Sequence, residues 1–205
     1  MRIENLIKTY PNGFEAVKGL NLKIYQNQIF ALLGQNGAGK STTISMLTGL
    51  IPKTEGHASI FGHDMFRDRK QVRKLMGVCP QHDVLFECLT PVEHLSVFYD
   101  LKGGDPSKKN QDIVDLIRDV GLNEDQAKPA SSLSGGNRRK LSVAIALCAG
   151  SKLVLLDEPT AGMDLGARRA LWDMLKSYRN DRVIILTTHY MDEADVLGDR
   201  VGIMA

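Results

Sequence analysis

Five apolar residues in succession, Ile29-Phe30-Ala31-Leu32-Leu33, run directly into Gly34-Gln35-Asn36-Gly37-Ala38-Gly39-Lys40-Ser41. An unbroken apolar run of this kind reads as a strand buried on both faces, and such a strand needs neighbours beside it and helices above and below. The octet has the spacing G-x-x-x-x-G-K-[ST] and opens a helix expected to end near Gly49, with Pro52 just beyond. Strand, glycine-rich turn and helix in that order make a phosphate cradle. Gly34, Gly37 and Gly39 are expected to let the backbone bend so that successive N–H groups converge on an anion. The helix N-terminus adds the positive end of its dipole. Lys40 is then placed to reach the β- and γ-phosphates of a nucleotide, Ser41 to hold Mg²⁺ and Thr42 to reach the α-phosphate. The plain alternative is a glycine-rich turn with an exposed lysine; three glycines in register with a Lys-Ser pair weigh against it.

Composition narrows the class. With 205 residues, 43% of them hydrophobic and 24% charged, the chain can bury a core without disulfides or a structural metal. A formal charge of +2 gives no electrostatic reason to expect nucleic acid. Cys79, Cys88 and Cys148 have no metal-ligand spacing and cannot all pair, which suits a reducing compartment. No apolar stretch approaches the roughly 18–20 residues of a membrane span, and Arg2, Glu4 and Lys8 speak against a signal peptide. A secreted disulfide scaffold and an integral membrane chain are excluded; a domain of a larger membrane protein is not.

Patterning along the chain points to an α/β fold. Leu20, Leu22 and Ile24 alternate with polar residues as in a half-buried strand, and Asn27-Gln28 is a plausible turn into the apolar run. Thr90-Pro91-Val92-Glu93 is a capping box with proline at the first helical position, continued by Leu95 and Phe98. Ile113, Leu116, Ile117 and Val120 mark a second amphipathic helix, stopped by Gly121. Residues from about 84 to 132, extending to 149 with the helix that follows, read as a helical subdomain set into a core made of residues 1–83 and 150–205. Leu153–Leu156 and Val183–Leu186 are apolar strands separated by a helix marked by Leu171, Trp172, Leu175 and Tyr178. Alternating buried strands and helices make a mostly parallel sheet, whose ligands sit at the carboxyl ends of the strands.

Polar residues at those ends are the candidate chemistry. Asp157 and Glu158 close the run Leu153–Leu156, Asp157 placed to hold Mg²⁺ mostly through water and Glu158 to orient or deprotonate an attacking water. An acid pair can also simply end a strand; beside a phosphate cradle the chemical reading is the stronger. Leu133-Ser134-Gly135-Gly136-Asn137-Arg138-Arg139-Lys140 then supplies a second glycine-rich helix start.

With that run the whole chain resembles the ATPase domain of ATP-binding cassette (ABC) transporters, whose signature is LSGG. The resemblance implies a P-loop NTPase (RecA-like) core with an N-terminal antiparallel β subdomain and an inserted α-helical signature subdomain. It also implies roles for further residues. Tyr10 stands where an aromatic stacks on adenine. Gln81 stands at the glutamine that contacts Mg²⁺ and the attacking water. Asp164 matches an aspartate that communicates across a dimer, and His189 a histidine that contacts the γ-phosphate. Each has a simpler reading alone: packing for Tyr10, loop for Gln81, a helix cap for Asp164, a polar strand end for His189. By the resemblance, two such domains face head to tail and sandwich each ATP between the cradle of one and Ser134-Gly135-Gly136-Asn137 of the other. Asn137 departs from the usual glutamine and is one methylene shorter.

TEGHASIFGHDM, GVCPQHDVLFECLTPVEHL and HYMDEADVLGDRVGIMA are similar to the eukaryotic A subfamily, whose members largely move lipids. The expectation is an ATPase cut from a longer transporter, working on the cytoplasmic face with transmembrane domains and a second ATPase domain as partners. A soluble ABC-type ATPase acting on nucleic acid or ribosomes lacks support, since no sustained heptads or basic linkers occur. A GTPase lacks its N-K-x-D motif. His57, His63, His82 and His94 are read as surface or loop residues, and Arg138-Arg139-Lys140 as a solvated helix face.

Overall fold

The computed structural model describes residues 1–205. Strands β1 (Arg2–Thr9), β2 (Glu15–Lys23), β4 (Glu55–Ile60) and β5 (His63–Asp64) form an antiparallel sheet in the order β2-β1-β4-β5. Strands β3 (Gln28–Gly34), β6 (Met76–Cys79), β7 (Leu153–Asp157), β8 (Val183–Thr188) and β9 (Arg200–Met204) form a parallel sheet in the order β6-β7-β8-β3-β9. The helices are α1 (Lys40–Thr48), α2 (Arg69–Leu75), α3 (Pro91–Lys102), α4 (Lys109–Asp119), α5 (Gly135–Leu147), α6 (Leu165–Ser177) and α7 (Met191–Leu197).

The strand period of two sorts the parallel sheet into two buried faces. Ile29, Ala31, Val154, Leu156, Ile184 and Leu186 meet the helices from α3 to α7. Phe30, Leu32, Leu153, Leu155, Val183 and Ile185 meet α1 and the antiparallel sheet. Each apolar run thus serves two cores at once, which is why β3, β7 and β8 show no alternation in sequence. The N-terminal period-two segment is β2, as expected. The turn before β3 falls one residue earlier than the Asn27-Gln28 reading: Asn27 takes φ 63° and Gln28 already belongs to the strand.

Local signals hold where they depend on neighbours in sequence. The Thr90–Glu93 capping box forms in both directions, with Pro91 in the first turn. Gly49 ends α1 in the left-handed conformation. The helical region does not have a core of its own. Leu95 of α3 and Ile113, Leu116 and Ile117 of α4 belong to the same apolar cluster as α5 and the sheet. Helix α5 starts in that region and lays its body on β6 and β7. Lys102 of α3 also binds the end of α5, donating to the carbonyls of Ile145 (3.0 Å) and Ala146 (3.3 Å). Its charge meets the negative end of the helix dipole there.

His94 is not a surface residue. It is fully buried, with Nε2 accepting from the Phe86 N–H at 2.9 Å and Nδ1 2.9 Å from the Thr90 carbonyl. It pins the loop before α3 to that helix. Cys79 is also buried, and desolvation pushes its thiol up to about 12.

The seam between α5 and the sheet runs through Gly77. A Cβ there would lie 1.7 Å from the Ala146 carbonyl oxygen. Gly77→Ala must push α5 off β6. Overpacking of this kind costs about 1–3 kcal/mol or more, so Tm should fall by roughly 2–12 °C for a domain of this size. Thermal unfolding by circular dichroism checks it, and an unchanged Tm would contradict the packing described.

Candidate functional site

Parallel register brings the strand ends together. Leu33 of β3 pairs with Thr188 of β8, and Asp157 of β7 pairs with Thr187 of β8. Gly34, Asp157 and His189 therefore emerge at one edge of the sheet. The glycine-rich turn runs from Gly34 into α1, whose first residue is Lys40. Gly37 (φ 88°) and Gly39 (φ 93°) take left-handed conformations, as the cradle reading expects. Gly34 does not; its reason is close approach, because a Cβ there would lie 2.5 Å from the Met204 carbonyl oxygen of β9. Lys40 is buried and its ammonium donates to the carbonyls of Gly34 (2.8 Å) and Gln35 (3.0 Å), so its charge lies inside the curve of the loop. Ser41 and Thr42 follow in the first turn of α1, half-buried. A cavity of about 1020 Å³ opens over the loop, lined by Gly34, Gln35, Asn36, Gly37, Ala38 and His189 among others.

The acidic pair divides into two environments. Asp157 is 5% exposed; its Oδ1 accepts from Ser41 Oγ at 3.1 Å and from the Thr187 hydroxyl. The Ser41 hydroxyl and the Asp157 carboxylate thus face each other as a pair of hard oxygen donors, the kind that Mg²⁺ takes directly or through water. Glu158, the next residue, has φ 50°. A left-handed conformation costs a residue with a side chain on the order of 1–2 kcal/mol. The strain is held by hydrogen bonds: the Glu158 N–H donates to Thr187 Oγ1 at 3.0 Å and to the Thr187 carbonyl at 3.2 Å. The turned backbone directs the Glu158 carboxylate to His189, with Nδ1 to Oε1 at 3.2 Å.

Arg139 is the residue that sequence reasoning missed. Arg138-Arg139-Lys140 reads as a charged helix surface, and Arg139 is instead 3% exposed. Its guanidinium donates to the carbonyls of Pro80 (2.5 Å), Gln81 (3.3 Å), Glu158 (2.8 Å) and Pro159 (3.2 Å). It also binds the Asp157 carbonyl and Asp83 Oδ1, the latter at 3.0 Å. A rigid five-donor fork suits this work in a way an ammonium does not. One side chain thereby ties the loop carrying Gln81 to the backbone of Asp157 and Glu158. The Gln81 side chain itself is exposed.

The remaining predicted residues lie apart. Ser134 caps α5, accepting from the Asn137 N–H at 3.2 Å, and none of residues 134–137 lines the cavity over the phosphate loop. The Asn137 side-chain N–H donates within the chain, to Asp125 Oδ2 at 2.6 Å. Asp164 caps α6 through the Ala167 N–H at 3.0 Å, and that bond holds its carboxyl below the usual range. Tyr10 sits in the turn between β1 and β2, its ring centroid 6.4 Å from that of Phe14 and 5.1 Å from Lys8 Nζ. Phe14 lines a second cleft with Gly37 and Ala38, and Tyr10 does not. A second aromatic four residues after Tyr10 was the available signal for it.

Comparison with known proteins adds an independent line. The family model described as "ABC transporter" matches residues 17–161. The human "Phospholipid-transporting ATPase ABCA3" is 51% identical, over 100% of this chain and 12% of that protein. The human "Retinal-specific phospholipid-transporting ATPase ABCA4" is 48% identical, over 99% of this chain and 9% of that protein. A solved structure described as "ATP binding subunit of ABC transporter" superposes with TM-score 0.90 at 26% identity, covering 99% of this chain and 85% of its own. A dimeric bacterial ABC transporter cassette shares the fold, with TM-score 0.89 at 23% identity over 99% of this chain and 93% of its own.

The Arg139 knot predicts a thermal phenotype. Arg139→Met keeps the stem and removes the donor shared by six acceptors, and breaking a buried charged network costs about 3–5 kcal/mol. Tm should fall by roughly 6–20 °C, and limited proteolysis should cut first in the loop at residues 80–88. A variant as stable as the parent would contradict the knot.

Proposed function

We propose, from the premise that the chain belongs to the ABC transporter family, that it is the ATP-hydrolysing motor of a membrane transporter and works as a head-to-tail pair around two ATP. No helix of the chain is long and apolar enough to cross a membrane, and the chain spans 12% and 9% of the relatives it resembles. The transmembrane domains therefore lie outside it, and the motor sits on the cytoplasmic face against them. Val84 and Phe86, 75% and 55% exposed in the loop before α3, give the helical region apolar side chains suited to that contact. Those relatives' names support lipid as the cargo.

On this reading the loop from Gly34 to Gly39, with Gln35, Asn36 and Ala38, wraps the phosphates. Lys40 bridges the β- and γ-phosphates, Thr42 meets the α-phosphate, and Tyr10 backed by Phe14 takes the adenine face. Ser41, Gln81 and, mostly through water, Asp157 would hold Mg²⁺, which would neutralise phosphate charge. Glu158 orients the attacking water and His189 holds the γ-phosphate beside it. The Glu158–His189 contact and the strained Glu158 backbone are the arrangement such work needs. Asp164 and residues 134–137 act across the dimer.

The observation that carries the paired arrangement is the emptiness around Gly135 and Gly136. A Cβ at either meets nothing within 4 Å, and neither has a positive φ. Gly34, Gly39 and Gly77 are crowded by their own chain; Gly135 and Gly136 leave bare backbone N–H groups at a helix start for something approaching from outside. An ATP held on a partner's loop fits that need.

Gly136→Ala should therefore keep Tm or raise it, since alanine favours a helix by about 0.5–1 kcal/mol over glycine. ATP turnover at high protein concentration should fall by at least roughly tenfold, about 1.4 kcal/mol in barrier. Full turnover would contradict the trans role. Glu158→Gln should bind MgATP, lose turnover and elute as a dimer from size exclusion in ATP. A monomeric variant that still hydrolyses ATP would overturn the assignment.

A further inference from the structure

His189 is followed by a set of contacts that the nucleotide machinery does not use. The ring of Tyr190 lies against the His189 imidazole, centroids 4.0 Å apart with planes tilted by 38°. Tyr190 directly precedes α7, and its N–H donates to Thr188 Oγ1 at 3.0 Å, so its backbone is fixed to the end of β8. The Arg168 guanidinium of α6 stands over the Tyr190 ring, 4.4 Å from the centroid. Arg168 Nε donates to the Met163 carbonyl at 3.1 Å, in the turn that carries Asp164.

One turn along α7 a second tie reaches the same region. Glu193 is 1% exposed, and its Oε1 accepts from Thr160 Oγ1 at 2.8 Å and Trp172 Nε1 at 3.2 Å. Its Oε2 has no hydrogen-bond partner. Burying a carboxylate with one oxygen unpaired is costly, and here the other oxygen joins three elements: the turn after Glu158, helix α6 and helix α7. The segment Thr160–Asp164 and the segment His189–Glu193 are thus bound as one unit.

We propose that Tyr190 is a positioning residue for His189, and that Arg168 and Glu193 register it to the Asp164 turn. The inference rests on the reading of Glu158 and His189 as the groups around the γ-phosphate. A displacement of the Asp164 turn, as when a second copy docks there, is carried by Arg168 to the Tyr190 ring and so to the imidazole. The device lets the fit of the dimer set the His189–Glu158 geometry without a direct contact.

A double-mutant cycle on the full chain tests this, using single-turnover ATP hydrolysis with saturating MgATP. Tyr190→Phe keeps the ring and should keep turnover. Tyr190→Leu should lower the rate about tenfold, with affinity for a fluorescent ATP analogue unchanged. In a His189→Ala background Tyr190→Leu should cost nothing further. Arg168→Met, which keeps the stem, should give a smaller loss that also vanishes in that background. It carries the test if Tyr190→Leu is unstable by thermal melt. The His189 imidazole proton resonance, shifted by the Tyr190 ring, should move in Arg168→Met. Equal losses with and without His189, or an unmoved resonance together with full turnover, would overturn the proposal. Undiminished hydrolysis by Glu158→Gln would instead overturn the reading beneath it.

Discussion

Everything at the site depends on the in-register parallel pairing of β7, β8 and β3. Because those strands are buried on both faces, polar side chains have nowhere to stand along them except at their ends. Pairing Asp157 with Thr187 and Leu33 with Thr188 sets the acid, the hydroxyl and the start of the phosphate loop side by side. Thr187 shows the consequence. Its hydroxyl binds the Asp157 carboxylate and its oxygens receive the Glu158 N–H, so the strained Glu158 backbone is fixed by the neighbouring strand. A one-residue slip in that register would move Asp157 from Ser41 and Glu158 from His189 together.

Arg139 extends that fixed edge to the rest of the chain. It is on α5, whose first residues form the second glycine-rich helix start and whose body lies on β6 and β7. Its guanidinium grips the backbone of Asp157 to Pro159 on one side and of Pro80 and Gln81 on the other. A force on the start of α5 or on the loop after β6 therefore reaches the acidic pair through one rigid fork. The proposed motor needs such a path, since its two nucleotides and its membrane partner meet different surfaces of the chain.

Much of this was legible in the sequence because its causes are local. The cradle octet, the Thr90–Glu93 capping box and the apolar runs each depend on residues within a few positions of one another. What was not legible depends on distant partners. Arg139 looks like its neighbours Arg138 and Lys140 until the fold brings to it acceptors 18 to 59 residues away. His94 reads as a surface or loop histidine until the segment at Phe86 folds over it. Gly34 sits in a turn motif and suggests a conformational need, yet it is required by β9, which arrives 170 residues later. The packing of the helical region was hidden for the same reason, because α5 joins its apolar residues to those of the sheet in one cluster.

In the proposed motor each catalytic site is shared between two copies, one supplying Lys40 and the other Ser134. The most direct measurement mixes two variants that are each inactive, Lys40→Ala and Ser134→Arg, and follows phosphate release. A heterodimer of the two contains one site with an intact loop and an intact Ser134, so mixing should restore turnover that neither variant has alone. No recovery on mixing, with both variants folded and dimerising, would contradict the shared site.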